Sequence, residues 1–219
     1  MRLNLQASSG FLPMLCVNRR YEREGLSVMF KMAMSEQALP ILVRPSREED
    51  TEMMMTIYRH HIRYGVELSA VAASDPLDSD DLKRRRKNMK NHRLPHLVAE
   101  VNGMVIAYAY AVPFRKRPAY RYTLKHSIYV HHEHLRCGVG RLLLPALIDA
   151  CAAAGYRQMI GYIDAANVGS IRLHENCGFR TVGLLPSVGF KFGRWTDSMM
   201  MQRSLGAGDT TQPGLWPSG

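Results

Sequence analysis

The residues with the greatest chemical potential lie between positions 121 and 179. Ser127-Ile128-Tyr129-Val130 reads as the end of a strand, and a short polar link leads into Arg136-Cys137-Gly138-Val139-Gly140-Arg141, which opens an apolar helix. Glycine in such a turn lets the backbone approach a ligand closely, and the exposed amides of a helix N-terminus attract phosphate. Arg136 and Arg141 add positive charge on either side. The pattern is not a Walker A loop, since no Gly-Lys-Ser/Thr follows, nor the dinucleotide fingerprint, whose third glycine is missing. Taken alone, it fits a phosphate-binding turn or an ordinary tight turn. Histidines supply the remaining candidates. The chain has nine, and their side chain titrates at about 6.5 when unperturbed, although a lone histidine is most often structural. His131, His132, Glu133 and His134 invite a metal reading. They crowd one short loop without the i, i+4 spacing of a helical zinc pair, so no metal site is expected.

These residues need elements to position them. Ile41 to Arg44 reads as a first strand, and Glu48, Glu49 and Asp50 occupy the first turn of a following helix, where its dipole favours them. Met54, Ile57, Tyr58 and Ile62 keep helical spacing along it. Asp75-Pro76 breaks the chain, and Asp78 and Asp80 begin a second helix whose face carries Lys83 to Arg93. Strands over 96–100 and 104–112 flank Asn102-Gly103, a strong hairpin signal. A strand over 122–130, a helix over 141–154 closed by Gly155, a strand over 158–163, a helix over 170–177 and two late strands near 181–185 and 198–202 complete the pattern. Antiparallel strands followed by a strand–loop–helix–strand unit give an α/β fold with a mixed, mostly antiparallel sheet flanked by helices.

Composition narrows the function classes. The chain has 219 residues and a net charge of +10, one domain's worth of a basic protein with anionic partners. The basic run from Lys83 to Arg93 has no interleaved aromatic, which argues for a solvated helix face rather than nucleic-acid binding. No apolar run reaches the roughly 20 residues that span a bilayer. Cys16, Cys137, Cys151 and Cys177 form no CxxC pair, so a reducing, cytoplasmic setting is expected. Residues 1–39 read as a poorly ordered extension without a signal-peptide cleavage site, Met34 being a second candidate start. Residues 206–219 read as a flexible tail, leaving 40–205 as the domain.

Four blocks say more: Arg117-Pro118-Ala119-Tyr120-Arg121-Tyr122-Thr123, then Ser127-Ile128-Tyr129-Val130, then the stretch from Asn167 to Phe179, and finally Val188 to Asp197. Together they resemble the GNAT acyl-CoA N-acyltransferase superfamily and, within it, the phosphinothricin and methionine sulfoximine N-acetyltransferases, over residues 40–205. The resemblance implies the GNAT fold and transfer of acetyl from acetyl-CoA to the amine of a small amino-acid-like substrate. It implies that Ile128, Tyr129 and Val130 offer backbone groups to the pantetheine arm. Arg136, Cys137, Gly138, Val139, Gly140 and Arg141 would cradle the pyrophosphate, and Asn167 and Ser170 would face the cofactor. His174 stands where many members have a tyrosine that protonates the leaving thiolate. Arg121, beside Tyr122 and Thr123, matches the position that holds the substrate carboxylate, a role suited to a planar guanidinium. A homodimer is also implied, with no nucleic-acid or membrane partner.

One departure matters. Where the branch usually reads Thr-Val-Glu-His-Ser, this chain reads Thr123-Leu124-Lys125-His126-Ser127. The glutamate assigned as base is therefore Lys125, and an ammonium has no lone pair with which to take a proton. His126 is the better base, but on a regular strand it faces away from position 125. Several readings stay open: His126 or a relayed water as base, a different amine or a peptide N-terminus as substrate, or an acyl-CoA-binding protein with little turnover. Leu135 also replaces a usual polar residue, and Pro145 falls inside the helix after the turn, where it removes one hydrogen bond and bends the helix unless that helix begins late.

Overall fold

A computed structural model describes residues 40–64 and 94–213. Its sheet contains β1 (Leu42–Pro45), β2 (His96–Val101), β3 (Met104–Pro113), β4 (Thr123–Val130), β5 (Gln158–Asp164), β6 (Arg180–Lys191) and β7 (Arg194–Ser204), in the spatial order β1-β2-β3-β4-β5-β7-β6. Every neighbouring pair is antiparallel except β4 and β5. That parallel pair requires a crossover, supplied by a helix, α2 (Val139–Ala153). The other described α-helices are α1 (Thr51–Tyr64) and α3 (Val168–Asn176).

Local chemistry accounts for the joints. Asn102 and Gly103 both take positive φ, 50° and 78°, as the two-residue turn between β2 and β3 demands. Arg44 ties β1 to both its neighbours: it donates to the Asp50 carboxylate at 2.7 and 2.8 Å and to Glu100 on β2 at 2.7 Å. Asp50 also accepts the Arg47 backbone N–H at 2.6 Å, which fixes the entry into α1. Burial alone would raise the Asp50 pKa, but these hydrogen bonds and the nearby arginine charge outweigh it and hold the carboxyl below its ordinary value.

The two sheet faces bury separate apolar clusters. Met54, Met55, Ile57 and Tyr58 of α1 pack on Val98, Val105, Tyr108 and Tyr129. Leu143, Leu144, Leu147 and Cys151 of α2 pack with Ala107, Ala109, Leu124 and Met159. Each such leucine contributes about 1.5–3 kcal/mol on burial. The strand period of two therefore divides β4: Leu124 turns inward beneath α2 and His126 meets His174 of α3 on the same face, Lys125 is exposed, and Tyr129 faces α1.

The structure departs from the sequence reading in two places. Helix α2 starts at Val139 rather than 141, so Pro145 is internal, and the apolar contacts beneath the helix hold it despite the lost hydrogen bond. The late strands are about twice as long as expected and form one hairpin, closed by Phe192 and Gly193 at φ 50° and 74°. Pro186 and the glycines at 183, 189 and 193 hid this, because such residues punctuate a strand pattern. The ladder absorbs them by register shifts between Thr181 and Gly183 and between Leu185 and Gly189. The expected basic helix and the extension over 1–39 lie outside the described residues. The segment expected as a tail begins with turns at 205–210, and Arg157 donates to the Gly208 carbonyl and the Thr211 hydroxyl.

Candidate active site

The parallel ladder between β4 and β5 pairs only Thr123–His126 with Gln158–Gly161, although both strands continue beyond it. A seam opens there, bounded by Ser127–Val130 on one side and Tyr162–Asp164 on the other. At the far end of β4 the chain reaches the α2 turn. Arg136 and Gly138 adopt positive φ, 63° and 80°, and Gly138 precedes α2 at its N-cap position without a side-chain cap. Uncapped first-turn amides leave donors for a ligand oxygen, and Arg136 and Arg141 stand exposed beside them. Cys137 and Val139 are buried, so these two can serve such a ligand only through their backbone. Gly140 also serves packing: a Cβ there would lie 2.8 Å from Leu173 Cδ2, so its bareness lets α3 approach α2.

Where the ladder ends, two buried histidines meet. Nε2 of His126 lies 2.9 Å from Nε2 of His174, His126 Nδ1 lies 3.1 Å from the Ile160 carbonyl oxygen, and His174 Nδ1 lies 2.7 Å from that of Ser170. Carbonyls only accept, so satisfying all three contacts takes three protons, and two neutral imidazoles carry two. The neutral pair is thus one proton short of its hydrogen bonds. Burial opposes the extra charge: it pushes His126, further disfavoured by the neighbouring imidazole, down to about 3, and it lowers His174 as well. Such a pair rests neutral, has a place prepared for one proton, and gives that proton up readily. Phe179 packs against both rings, and Gly161 makes room for them, since a Cβ there would lie 3.0 Å from His126 Cε1.

The other sequence candidates lie at differing positions relative to this pair. Ser170 presents its carbonyl to His174, and Asn167 caps α3 by accepting the Ser170 N–H at 3.0 Å. Ile128 and Val130 are partly buried against the α2-side cluster, and the Val130 carbonyl accepts from His61 Nε2 at 2.8 Å, whereas the Tyr129 ring stacks on Tyr108 with centroids 4.9 Å apart, on the opposite face. Arg121 is exposed over the Tyr122 ring, just before Thr123 starts β4. Lys125 is not brought to the histidine pair; it stands on the other face of the strand. In the His131–His134 loop, His132 stacks on His60 at 4.0 Å, and among the described residues no three ligating side chains converge.

Residues 56–179 match the family model of the acetyltransferase (GNAT) family. The chain belongs to the GNAT family. Its GNAT relatives include a phosphinothricin N-acetyltransferase from Alcaligenes faecalis, 44% identical over 172 residues that make up 78% of this chain and 86% of that protein. An L-methionine sulfoximine/L-methionine sulfone acetyltransferase from Salmonella typhimurium is 36% identical, over 74% of this chain and 94% of its own length. The crystal structure of a GNAT phosphinothricin acetyltransferase from Sinorhizobium meliloti in complex with acetyl-CoA superposes with a TM-score of 0.75 at 38% identity, covering 80% of this chain and 94% of that one. The expected GNAT fold is therefore the observed one. Within this GNAT site, sequence reasoning missed the contact between His126 and His174 and the role of Gly161. The available signal was a glycine in mid-strand, which marks a close approach.

Proposed function

We propose that the chain is an acetyl-CoA-dependent N-acetyltransferase that acts on the amine of a small amino-acid-like compound, with phosphinothricin and methionine sulfoximine as the first candidates. The observation that carries this reading is a buried proton-accepting pair placed where a strand seam ends, in line with an uncapped, arginine-flanked helix turn. Acetyl-CoA supplies an acetyl group activated as a thioester. The amides at 138–140 with the side chains of Arg136 and Arg141 hold its pyrophosphate, and the backbone of Ile128–Val130 aligns its arm in the seam. Arg121 holds the substrate carboxylate, with Tyr122 and Thr123 beside it. The proton released by the amine passes through a relayed water to the His126–His174 pair, both Nε2 atoms share it, and His174 returns it to the departing thiolate. Lys125 plays no part as base in this scheme.

The chain works as a homodimer in the cytoplasm. The hairpin β6–β7 supports the dimer: β6 is an edge strand, and Val188, Phe190 and Trp195 are 57, 63 and 65% exposed, a surface a lone soluble protein rarely keeps. Cys137, Cys151 and Cys177 make no disulfide, which suits a reducing compartment. No described helix is long and apolar enough to cross a membrane. A second reading, an acyl-CoA-binding protein with little turnover, is favoured only by Lys125. Mass spectrometry of the small-molecule products decides between the two. Formation of the N-acetyl amine supports the transferase; tight acetyl-CoA binding with every amine recovered unchanged supports the binding protein.

A further inference from the structure

Lys125 is the residue of this site to which the scheme above gives no role. It pairs with Val112 on β3 and with Ile160 on β5, one residue before the point where the β4–β5 ladder ends. It is exposed, on the sheet face opposite His126. Among the described residues no carboxylate forms an ion pair with it; both ion pairs found belong to Arg44. These facts place a primary amine, untied by any acid, at the level where the seam closes.

That level has a chemical meaning, which rests on the acetyl-transfer reading. A cofactor anchored at the α2 turn and running along Ile128–Val130 meets the closed ladder at His126 and Gly161, so its reactive end stops beside residues 125–127. The α2 side of the sheet is filled there by His126, His174 and Phe179. An attacking amine must come from the other face, where Lys125 stands. One strand residue spans about 3.3 Å, well within the sweep of a flexible four-carbon arm.

We propose that Lys125 is a self-acetylation site. The neutral form of its Nζ attacks the carbonyl carbon of the bound acetyl group; an N–C bond forms, the C–S bond breaks, and coenzyme A leaves as the thiolate. The nitrogen loses a proton and the thiolate gains one, giving Nζ-acetyl-Lys125 and free coenzyme A. The modification removes a positive charge from the face on which a cationic ammonium substrate arrives.

The test is peptide mass spectrometry of the full-length protein after incubation with acetyl-CoA and no amine, run beside a thiol-release assay with phosphinothricin. The peptide containing Lys125 should gain about 42 Da, at least about tenfold faster than the exposed Lys116 of the β3–β4 loop, which reports ordinary chemical acetylation. Excess coenzyme A should suppress labelling at Lys125 and leave Lys116 unchanged. The Lys125→Arg variant should lose the fast-labelled site. Labelling of Lys125 no faster than Lys116, or indifferent to coenzyme A, overturns the proposal. The parallel assay separates the two claims: thiol release with Lys125 unlabelled sinks self-acetylation alone, and fast Lys125 labelling without release sinks only the choice of amine.

Discussion

Replacing Gly161 by Ala perturbs the histidine pair and almost nothing else. The new Cβ would meet His126 Cε1 at 3.0 Å and His174 Cδ2 and Nε2 at 3.5 Å, and these are the three nearest heavy atoms. Gly161 does not have a positive φ, so the backbone accepts alanine without strain. Carbon atoms sit comfortably at about 3.5–4.0 Å, so the His126 ring must retreat by roughly 0.5 Å. That carries the 2.9 Å contact between the Nε2 atoms beyond the roughly 3.2 Å limit of a good hydrogen bond. Overpacking of this kind costs about 1–3 kcal/mol, and for a chain of this size each kcal/mol lowers Tm by about 2–4 °C. Glycine to alanine by itself would favour folding by about 0.4–1 kcal/mol, so a fall in Tm would come from the crowding. If the pair moves the proton, kcat should drop roughly 100-fold, the lower end of what acid–base catalysis supplies, while KM for acetyl-CoA stays level because the α2 turn is untouched. Steady-state kinetics and a thermal melt on the same sample read both effects. A lowered Tm with kcat within about twofold of the parent would refute the proton role.

Other substitutions probe the remaining parts. Lys125→Glu should lower KM for a cationic amine and change kcat by less than about tenfold; a gain approaching 100-fold, the usual worth of a positioned base, would show that the site lacks a carboxylate base. Arg44→Met should destabilise the protein by about 3 kcal/mol at pH 7 by stranding two partly buried carboxylates, read from urea midpoints. The Asp50 pKa is depressed from its ordinary 3.8 in the folded state, so its contribution is present above that value and fades as pH falls below it; the gap between parent and Arg44→Met should narrow at pH 3. Trp195→Lys with Phe190→Lys should convert a dimer to a monomer in light scattering; an unchanged mass would place the subunit contact elsewhere.

Much of the fold was legible because its signals are local. Asn102-Gly103 announces its own turn, and the strand–turn–helix around Gly138 carries its periodicities over some 30 residues. The alternation of strand faces correctly separated Lys125 from His126. What escaped is non-local. His126 and His174 stand 48 positions apart, and no spacing rule joins a strand residue to a helix residue across a neighbouring strand. Arg44 reaches Glu100 over 56 positions and read only as the end of the first strand. The hairpin of β6 and β7 was obscured because its exposed apolar side chains follow neither a buried run nor a clean alternation.

The most direct measurement is release of free thiol from acetyl-CoA on adding phosphinothricin, with methionine sulfoximine beside it and a no-amine control. Rapid, amine-dependent release, matched one for one by the N-acetylated amine, is the expected result and would show that catalysis runs without a glutamate at position 125. No amine-dependent release from a protein that binds acetyl-CoA by calorimetry would contradict it.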